Sequence, residues 1–323
     1  MSVPFELPLA ELRRYAGTNP RPEDHEAFWQ RALGELGEID PQPVWAASGF
    51  SLPFAECLDL FFTGTLGARL HARVLQPNTP RTSNPALLMF HGYAASAGEW
   101  FAKIPYVASG FTVAAMDCRG QGGESNDPGG VAGWTLRGHI VRGLGDDPSA
   151  LYYRHVFLDT VQLARVIMDL PQVDAQRIAA YGRSQGGGLA LACAALEPRI
   201  RRVAALYPFL SDYKRVWELD PPSKAYAEIR EYFRRFDPLH DCEDSIFRRL
   251  GYIDIQHLCH GIAAEVLMAI GLDDEQCPPS TQFAAFNKIR SEKRLLLYPD
   301  FGHEQLPACM DDVYTFVTHD WIE

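Results

Sequence analysis

The apolar positions of the chain change period as it is read from the N-terminus. FELPLAELRRY (5–15) and EDHEAFWQRALGEL (23–36) place them at helical spacing, the second with Asp24 near its start. CLDLFFTG (57–64) and LHARVLQP (70–77) flank a TGTLGAR turn and predict a β-hairpin. Short apolar runs follow and predict strands: ALLMFHG (86–92), FTVAAMDCRGQG (111–122), RIAAYG (177–182), RVAALYP (202–208), EVLMAIGLDD (265–274) and KRLLLYPDFGHE (293–304). Helical patterns lie between them at EWFAKIPYVASG (99–110), VFLDTVQLARVIMDL (156–170), LALACAALEP (189–198) and TQFAAFNKIR (281–290). DVYTFVTHDWI (312–322) closes the chain as a helix.

Strands that are apolar throughout must be covered on both faces, and their alternation with helices predicts an α/β fold around a mostly parallel sheet. One segment breaks the alternation. Residues 211–260 are charged and aromatic with no evident strand, and predict a helical insertion before the strand EVLMAIGLDD. With a helical extension over about residues 1–55, the expectation is one α/β domain spanning 1–323.

Composition adds mainly exclusions. With 323 residues, 47% hydrophobic and 22% charged, the chain has the balance of an ordinary globular protein. No apolar run is long enough to span a bilayer. The start, MSVPFELPLAEL, lacks a basic segment leading into a long apolar run, so no secretory signal is expected. A formal charge of −11 disfavours nucleic acid and anionic membrane surfaces as partners. The seven cysteines (Cys57, Cys118, Cys193, Cys242, Cys259, Cys277 and Cys309) are scattered and form no CxxC pair, which suits a cytoplasmic protein without a disulfide framework. His257, Cys259 and His260, with His240 and Cys242 upstream, match no standard zinc spacing. Solvated or core-lining histidines, and no metal, are the expectation there.

Candidate chemistry enters at AAYGRSQGGGLAL (179–191). Gly182-Arg183-Ser184-Gln185-Gly186 joins a predicted strand to a predicted helix, the context in which Gly-x-Ser-x-Gly turns a serine hydroxyl out above a sheet. The bland alternative is a glycine-rich turn with an incidental serine. A phosphate loop is excluded, because the Gly-Lys-Ser/Thr ending is missing. A serine nucleophile needs a base and an acid later in the chain. EVLMAIGLDD ends in Asp273 and Asp274, and KRLLLYPDFGHE brings His303 into a loop before the last helix. His303 would take the serine proton, and a carboxylate would hold its tautomer and stabilise the imidazolium. For the oxyanion, one donor is the Gln185 amide and the other comes from LLMFHGYAAS, at Tyr93.

Taken together, FHGY, MDCRGQGGES, GRSQGGG, GLDDEQCPPST and GHE resemble the acetyl xylan esterase / cephalosporin-C deacetylase family, carbohydrate esterase family seven, of the α/β-hydrolase superfamily. The similarity runs over most of the chain. It implies an α/β-hydrolase fold with Ser184 as nucleophile, His303 as base, Asp274 as acid, and the Tyr93 and Gln185 amides as oxyanion hole. Asp273 and Glu304 are the local competitors for the acid. The family's RGQ triplet falls on Arg119, Gly120 and Gln121, which would shape the active-centre loops; an ion pair between Arg119 and Asp117 is the structural reading of the same arginine. The resemblance further implies acetylated sugars, short xylooligosaccharides and cephalosporin C as substrates, no metal or cofactor, an intracellular location and a homo-oligomer, often a hexamer. Two departures stand out: Arg183, where many relatives carry glycine, and the stretch NDPGGVAGWTLRGHIVRGLGDD, which would line the approach to the pocket. A general carboxylesterase or a peptidase would share the fold. A non-catalytic binding protein would have no need of all three triad residues in order.

Overall fold

The computed structural model describes residues 6–78, 83–128, 135–220 and 225–322. Among them, nine strands form one sheet: β1 (Val44–Ala47), β2 (Ala55–Thr63), β3 (Arg69–Pro77), β4 (Asn84–Phe90), β5 (Thr112–Met116), β6 (Val173–Arg183), β7 (Ile200–Leu206), β8 (Glu265–Gly271) and β9 (Lys293–Tyr298). Their order is β1-β2-β3-β5-β4-β6-β7-β8-β9. The expected hairpin is β2–β3, antiparallel with Ala55 opposite Pro77 and Thr63 opposite Arg69. From β5 onward every pairing is parallel.

The apolar strands are buried on both sides by helices of two layers. One layer holds α2 (His25–Gly37), α4 (Tyr152–Met168) and α5 (Gln185–Leu196), whose Leu36, Val156, Leu163, Leu189 and Cys193 join one apolar core. The opposite layer holds α3 (Ile104–Ala108) and α10 (Cys309–Thr318), whose Val107, Val313 and Val317 join the other. Because α5 lies between β6, β7 and α4, it has no polar stripe, and eleven of its twelve residues are buried. The segment between β7 and β8 carries α6 (Tyr213–Leu219), α7 (Ala227–Phe236) and α8 (Glu243–Leu250), and α9 (Pro279–Lys288) follows β8.

The N-terminal stretch departs from expectation in two ways. The helix foreseen over 5–15 is α1 (Leu9–Leu12), four residues long, because Pro8 sits extended at its start and cannot continue a helix backwards. The extension is also not wholly helical, since β1 adds to the sheet edge beside β2. Three of its four residues are exposed, so burial left little pattern to read.

At the sheet centre, β4 lies between β5 and β6, and the chain runs outward in both directions from there. In an open parallel sheet this reversal leaves a crevice beyond the strand ends, where ligands bind. The segments following β4, β5 and β6 carry His91-Gly92-Tyr93, Arg119-Gly120-Gln121 and Ser184-Gln185. The arrangement is that of an α/β hydrolase.

Candidate active site

Ser184 sits between β6 and α5 with φ 54° and ψ −121°, a conformation unfavourable for a residue with a side chain. Such strain costs on the order of 1–3 kcal/mol and persists only where the surroundings over-determine it. They do so here. The Ser184 N–H donates to Leu206 O at 3.0 Å, and Ser184 O accepts from Gly188 N–H at 3.1 Å and Phe209 N–H at 3.0 Å. The flanking glycines are needed for contact rather than flexibility. A Cβ on Gly182 would lie 2.2 Å from the Gly186 carbonyl, and one on Gly186 would lie 2.0 Å from Phe90 O. Only hydrogen at both positions lets α5 start this close to β4 and β6.

The carboxylate next to the histidine is Asp274. It is fully buried, whereas Asp273 is exposed and its amide donates to Phe301 O at 3.0 Å. Asp274 Oδ1 accepts the N–H groups of Gln276 (2.9 Å) and Cys277 (2.8 Å). Its Oδ2 accepts from Gln282 Nε2 at 3.3 Å and faces His303 Nδ1 at 2.9 Å. Because Asp274 only accepts, Nδ1 carries the hydrogen and Nε2 is left as the basic nitrogen. The Tyr207 ring meets the imidazole edge-on at 4.6 Å between centroids. Glu304 is exposed and caps the Gly302 amide at 3.1 Å, away from His303 Nδ1.

Cys277 is a member of the site that sequence reasoning did not assign. Its side chain lies beside that of Ser184. Ligand-type atoms of Asp274, Cys277 and His303 lie within 4.8 Å of one another. The donor set could meet a cation, but both Asp274 oxygens already accept hydrogen bonds and burial pushes the Cys277 thiol well above its ordinary value. The His257 group is no ligand cluster among the described residues: His257 Nε2 bonds Asn19 O, His260 reaches Glu26, and His240 reaches Glu243.

The other half of the site is a hydrogen-bonded frame built on Gln121. Gln121 and Gln185 exchange amide hydrogen bonds, 2.9 Å from Gln121 Nε2 to Gln185 Oε1 and 3.1 Å in return. Gln121 Oε1 also accepts the Ala94 N–H at 2.9 Å, and its Nε2 reaches Tyr152 Oη at 3.0 Å. One buried side chain thus ties the residue after Ser184 to the residue after Tyr93. The Gln185 amide opens α5, where first-turn N–H groups have no helical acceptor. His91 holds the start of the same loop: Nδ1 bonds Gly92 O at 2.7 Å and Nε2 accepts the Cys118 N–H at 2.9 Å. Burial pushes its pKa down, in keeping with that neutral tautomer.

Arg119 does not pair with Asp117. It makes a bidentate pair with Asp159 of α4, at 2.7 Å from Nε and 2.5 Å from Nη2, and a further bond to Thr65 Oγ1 at 2.8 Å. Asp117 instead meets His71 Nδ1 at 2.6 Å, with Asp59 on the other ring nitrogen at 3.0 Å. Against the push of burial, His71 and the amides of Glu124 and Ala97 hold the Asp117 carboxyl below its usual range. Gly120 has φ +61°, and a Cβ there would press on Asp127 at 3.3 Å. Arg183 points away from the frame, its Nε donating to Tyr181 Oη at 2.7 Å.

A cavity of about 590 Å³ opens at Tyr93 and is lined also by Leu136, Arg137, Ala225, Ala227 and Gln276. Leu136 and Arg137 come from the stretch foreseen as lining the approach; residues 129–134 of that stretch lie outside the described residues.

Comparison with known proteins places these features in one context. Residues 1–320 match the family described as Acetyl xylan esterase (AXE1). Acetyl xylan esterase 1 from Thermoanaerobacterium sp. JW/SL YS485 superposes with a TM-score of 0.93 at 54% identity, over 97% of this chain and 98% of that one. An acetyl xylan esterase from Paenibacillus sp. R4 superposes with a TM-score of 0.90 at 33% identity, over 96% and 99%. Acetyl esterase Axe7A of Xylanibacter ruminicola is 26% identical over 293 residues, which cover 87% of this chain. The match spans 63% of that longer protein.

Proposed function

Because the chain belongs to the acetyl xylan esterase family, whose members are carboxylic ester hydrolases, we propose that it is a serine esterase that removes acetyl groups from acetylated sugars. The observation that carries the reading is the strained Ser184 turn together with a buried Asp274 whose Oδ2 orients His303. The short xylooligosaccharides and the cephalosporin C expected from the sequence belong to the same proposal, as do a cytoplasmic homo-hexamer and the roles given below.

The cycle begins with the Ser184 hydroxyl turned toward His303 Nε2. Ser184 Oγ attacks the acetyl carbonyl carbon, and its proton passes to Nε2. The resulting imidazolium is held by Asp274, whose other bonds to Gln276, Cys277 and Gln282 keep the carboxylate from following the proton. The carbonyl oxygen, now an anion, lies between the Tyr93 and Gln185 amides, and Gln121 braces the two segments through the Ala94 N–H and the Gln185 side chain. The carbon–oxygen bond to the alcohol then breaks, and His303 returns the proton to the leaving oxygen. An acetyl ester on Ser184 remains. Water attacks it with His303 again as base, and acetate leaves as Ser184 recovers its proton.

Initial rates on nitrophenyl esters from acetate to octanoate, with Ser184→Ala beside the parent, test the reading. A steep fall beyond acetate, with all turnover lost in the variant, is expected. Rates that rise with chain length would instead mark a general carboxylesterase, and turnover surviving in the variant would remove Ser184 from the mechanism.

A further inference from the structure

Glu228 lies near the start of α7, in the segment between β7 and β8, far in sequence from every motif of the site. It is 4% exposed, yet it is an acid. Its Oε1 accepts the Tyr93 hydroxyl at 2.5 Å and its Oε2 accepts the Ile140 N–H at 3.1 Å. The backbone of Gly138 and Val141 also lies near the carboxylate. A carboxyl is costly to bury unless hydrogen bonds replace its water, and here a tyrosine and a turn of backbone supply them. Burial pushes its pKa up to about 7 despite these donors.

What Glu228 joins is the wall of the 590 Å³ cavity. Tyr93 is bonded to it directly, Leu136 and Arg137 lead into the turn it holds, and Ala225 and Ala227 stand beside it on the chain. An acetyl group needs only a small part of such a volume, which falls within the range of small-molecule pockets. The cavity adjoins the reacting ester through Tyr93, whose amide has the oxyanion role, and Gln276, two residues past Asp274, so its space is open to the alcohol portion of the ester. Its apolar alanines and leucine, with the Tyr93 ring, Arg137 and Gln276 among them, suit the mixed apolar and hydroxylated faces of a sugar.

We infer that Glu228 is a specificity-determining positioning residue, which fixes the wall of the pocket that receives the leaving sugar. The inference rests on the esterase reading above and adds the residue that selects the acceptor. Glu228 bonds the Tyr93 hydroxyl, whereas the oxyanion role belongs to the Tyr93 amide. Loosening Glu228 therefore disturbs the sugar pocket more than the reacting carbonyl.

The test compares the parent, Glu228→Gln, Tyr93→Phe and the double variant on 4-nitrophenyl acetate and on acetylated xylobiose, resolving kcat from KM. Glutamine keeps the size but puts an NH₂ where an oxygen received N–H or O–H groups, and phenylalanine removes only the hydroxyl. Each single variant is expected to lose roughly tenfold more kcat/KM on the saccharide than on the nitrophenyl ester, as suits a hydrogen bond to a charged group. That loss lies in KM and is less than additive in the double variant. Equal losses on both substrates, or losses confined to kcat, overturn the inference and leave Glu228 a structural residue. Should Glu228→Gln fail to fold, the same split in Tyr93→Phe decides. A parent whose turnover of the nitrophenyl ester does not depend on Ser184 overturns the esterase reading itself, and the inference with it.

Discussion

Replacing Arg119 with methionine isolates what this arginine does. Its side chain is 1% exposed and that of Asp159 is 0% exposed, and no solvent screens the pair. The substitution leaves a carboxyl in a place where burial already raises its pKa, now without the guanidinium that opposed the rise. Breaking a buried pair from one side costs roughly 3–5 kcal/mol. The cost depends on pH in a definite sense. With its folded-state pKa above the unfolded value, Asp159 favours folding while protonated, and that contribution is lost as pH rises through the folded pKa. Urea unfolding of Arg119→Met should therefore show a larger deficit at pH 8 than at pH 5. Adding Asp159→Leu removes the stranded charge and should recover most of the stability, since apolar replacement of buried pairs is often neutral. Activity should return with it, because the Arg119 side chain bonds only Asp159 and Thr65 among the described residues. A single variant within about 1 kcal/mol of the parent at both pH values would count against a buried pair, that being the scale of an exposed one. A stable but inactive double variant would refute a purely structural role, by placing the Arg119 side chain on the substrate.

Three further outcomes follow from the geometry. Asp274→Asn should lower kcat by about 10⁴, because an amide can present a hydrogen to Nδ1 and select the wrong tautomer; steady-state kinetics alongside a melting curve separates this from unfolding. Asp254 is fully buried, with its pKa raised to about 7 by desolvation first and by neighbouring Asp212 second. Its protonated form favours folding, so stability should fall between about pH 4 and pH 7, and Asp254→Asn should remove up to roughly 4 kcal/mol of that dependence in urea titrations. Gly186→Ala should abolish activity and lower the melting temperature, because the new methyl would meet Phe90 O and force α5 away from β4.

The sheet and its helices were legible because buried strands and helices leave strong periodic signals, and the Ser184 turn because its glycines are dictated by close contacts. The acid illustrates the limit. Asp273 and Asp274 are adjacent and chemically identical, and pattern alone could not separate them; the resemblance chose Asp274, and the fold buries it beside His303. Partners distant in sequence were harder. Arg119 was read against the nearby Asp117, but β5 and α4 bring Asp159 to it from 40 residues away. Cys277 lies within the motif GLDDEQCPPST, and nothing in the spacing says that its side chain comes beside Ser184. Glu228 left no signal at all, because its importance lies in what a long insertion folds back to touch. The short α1 and the exposed β1 were misjudged for a local reason: Pro8 stops one, and the other has almost no buried face.

Ser184 as the nucleophile is tested most directly by finding where the acetyl group goes. The protein is mixed with 4-nitrophenyl acetate, quenched in acid during the first turnovers, digested and read by peptide mass spectrometry. A single acetyl group on Ser184, and none in Ser184→Ala, is expected. An acetyl group on Cys277 instead, or turnover with no acetylated Ser184 at any quench time, would contradict Ser184 as the nucleophile.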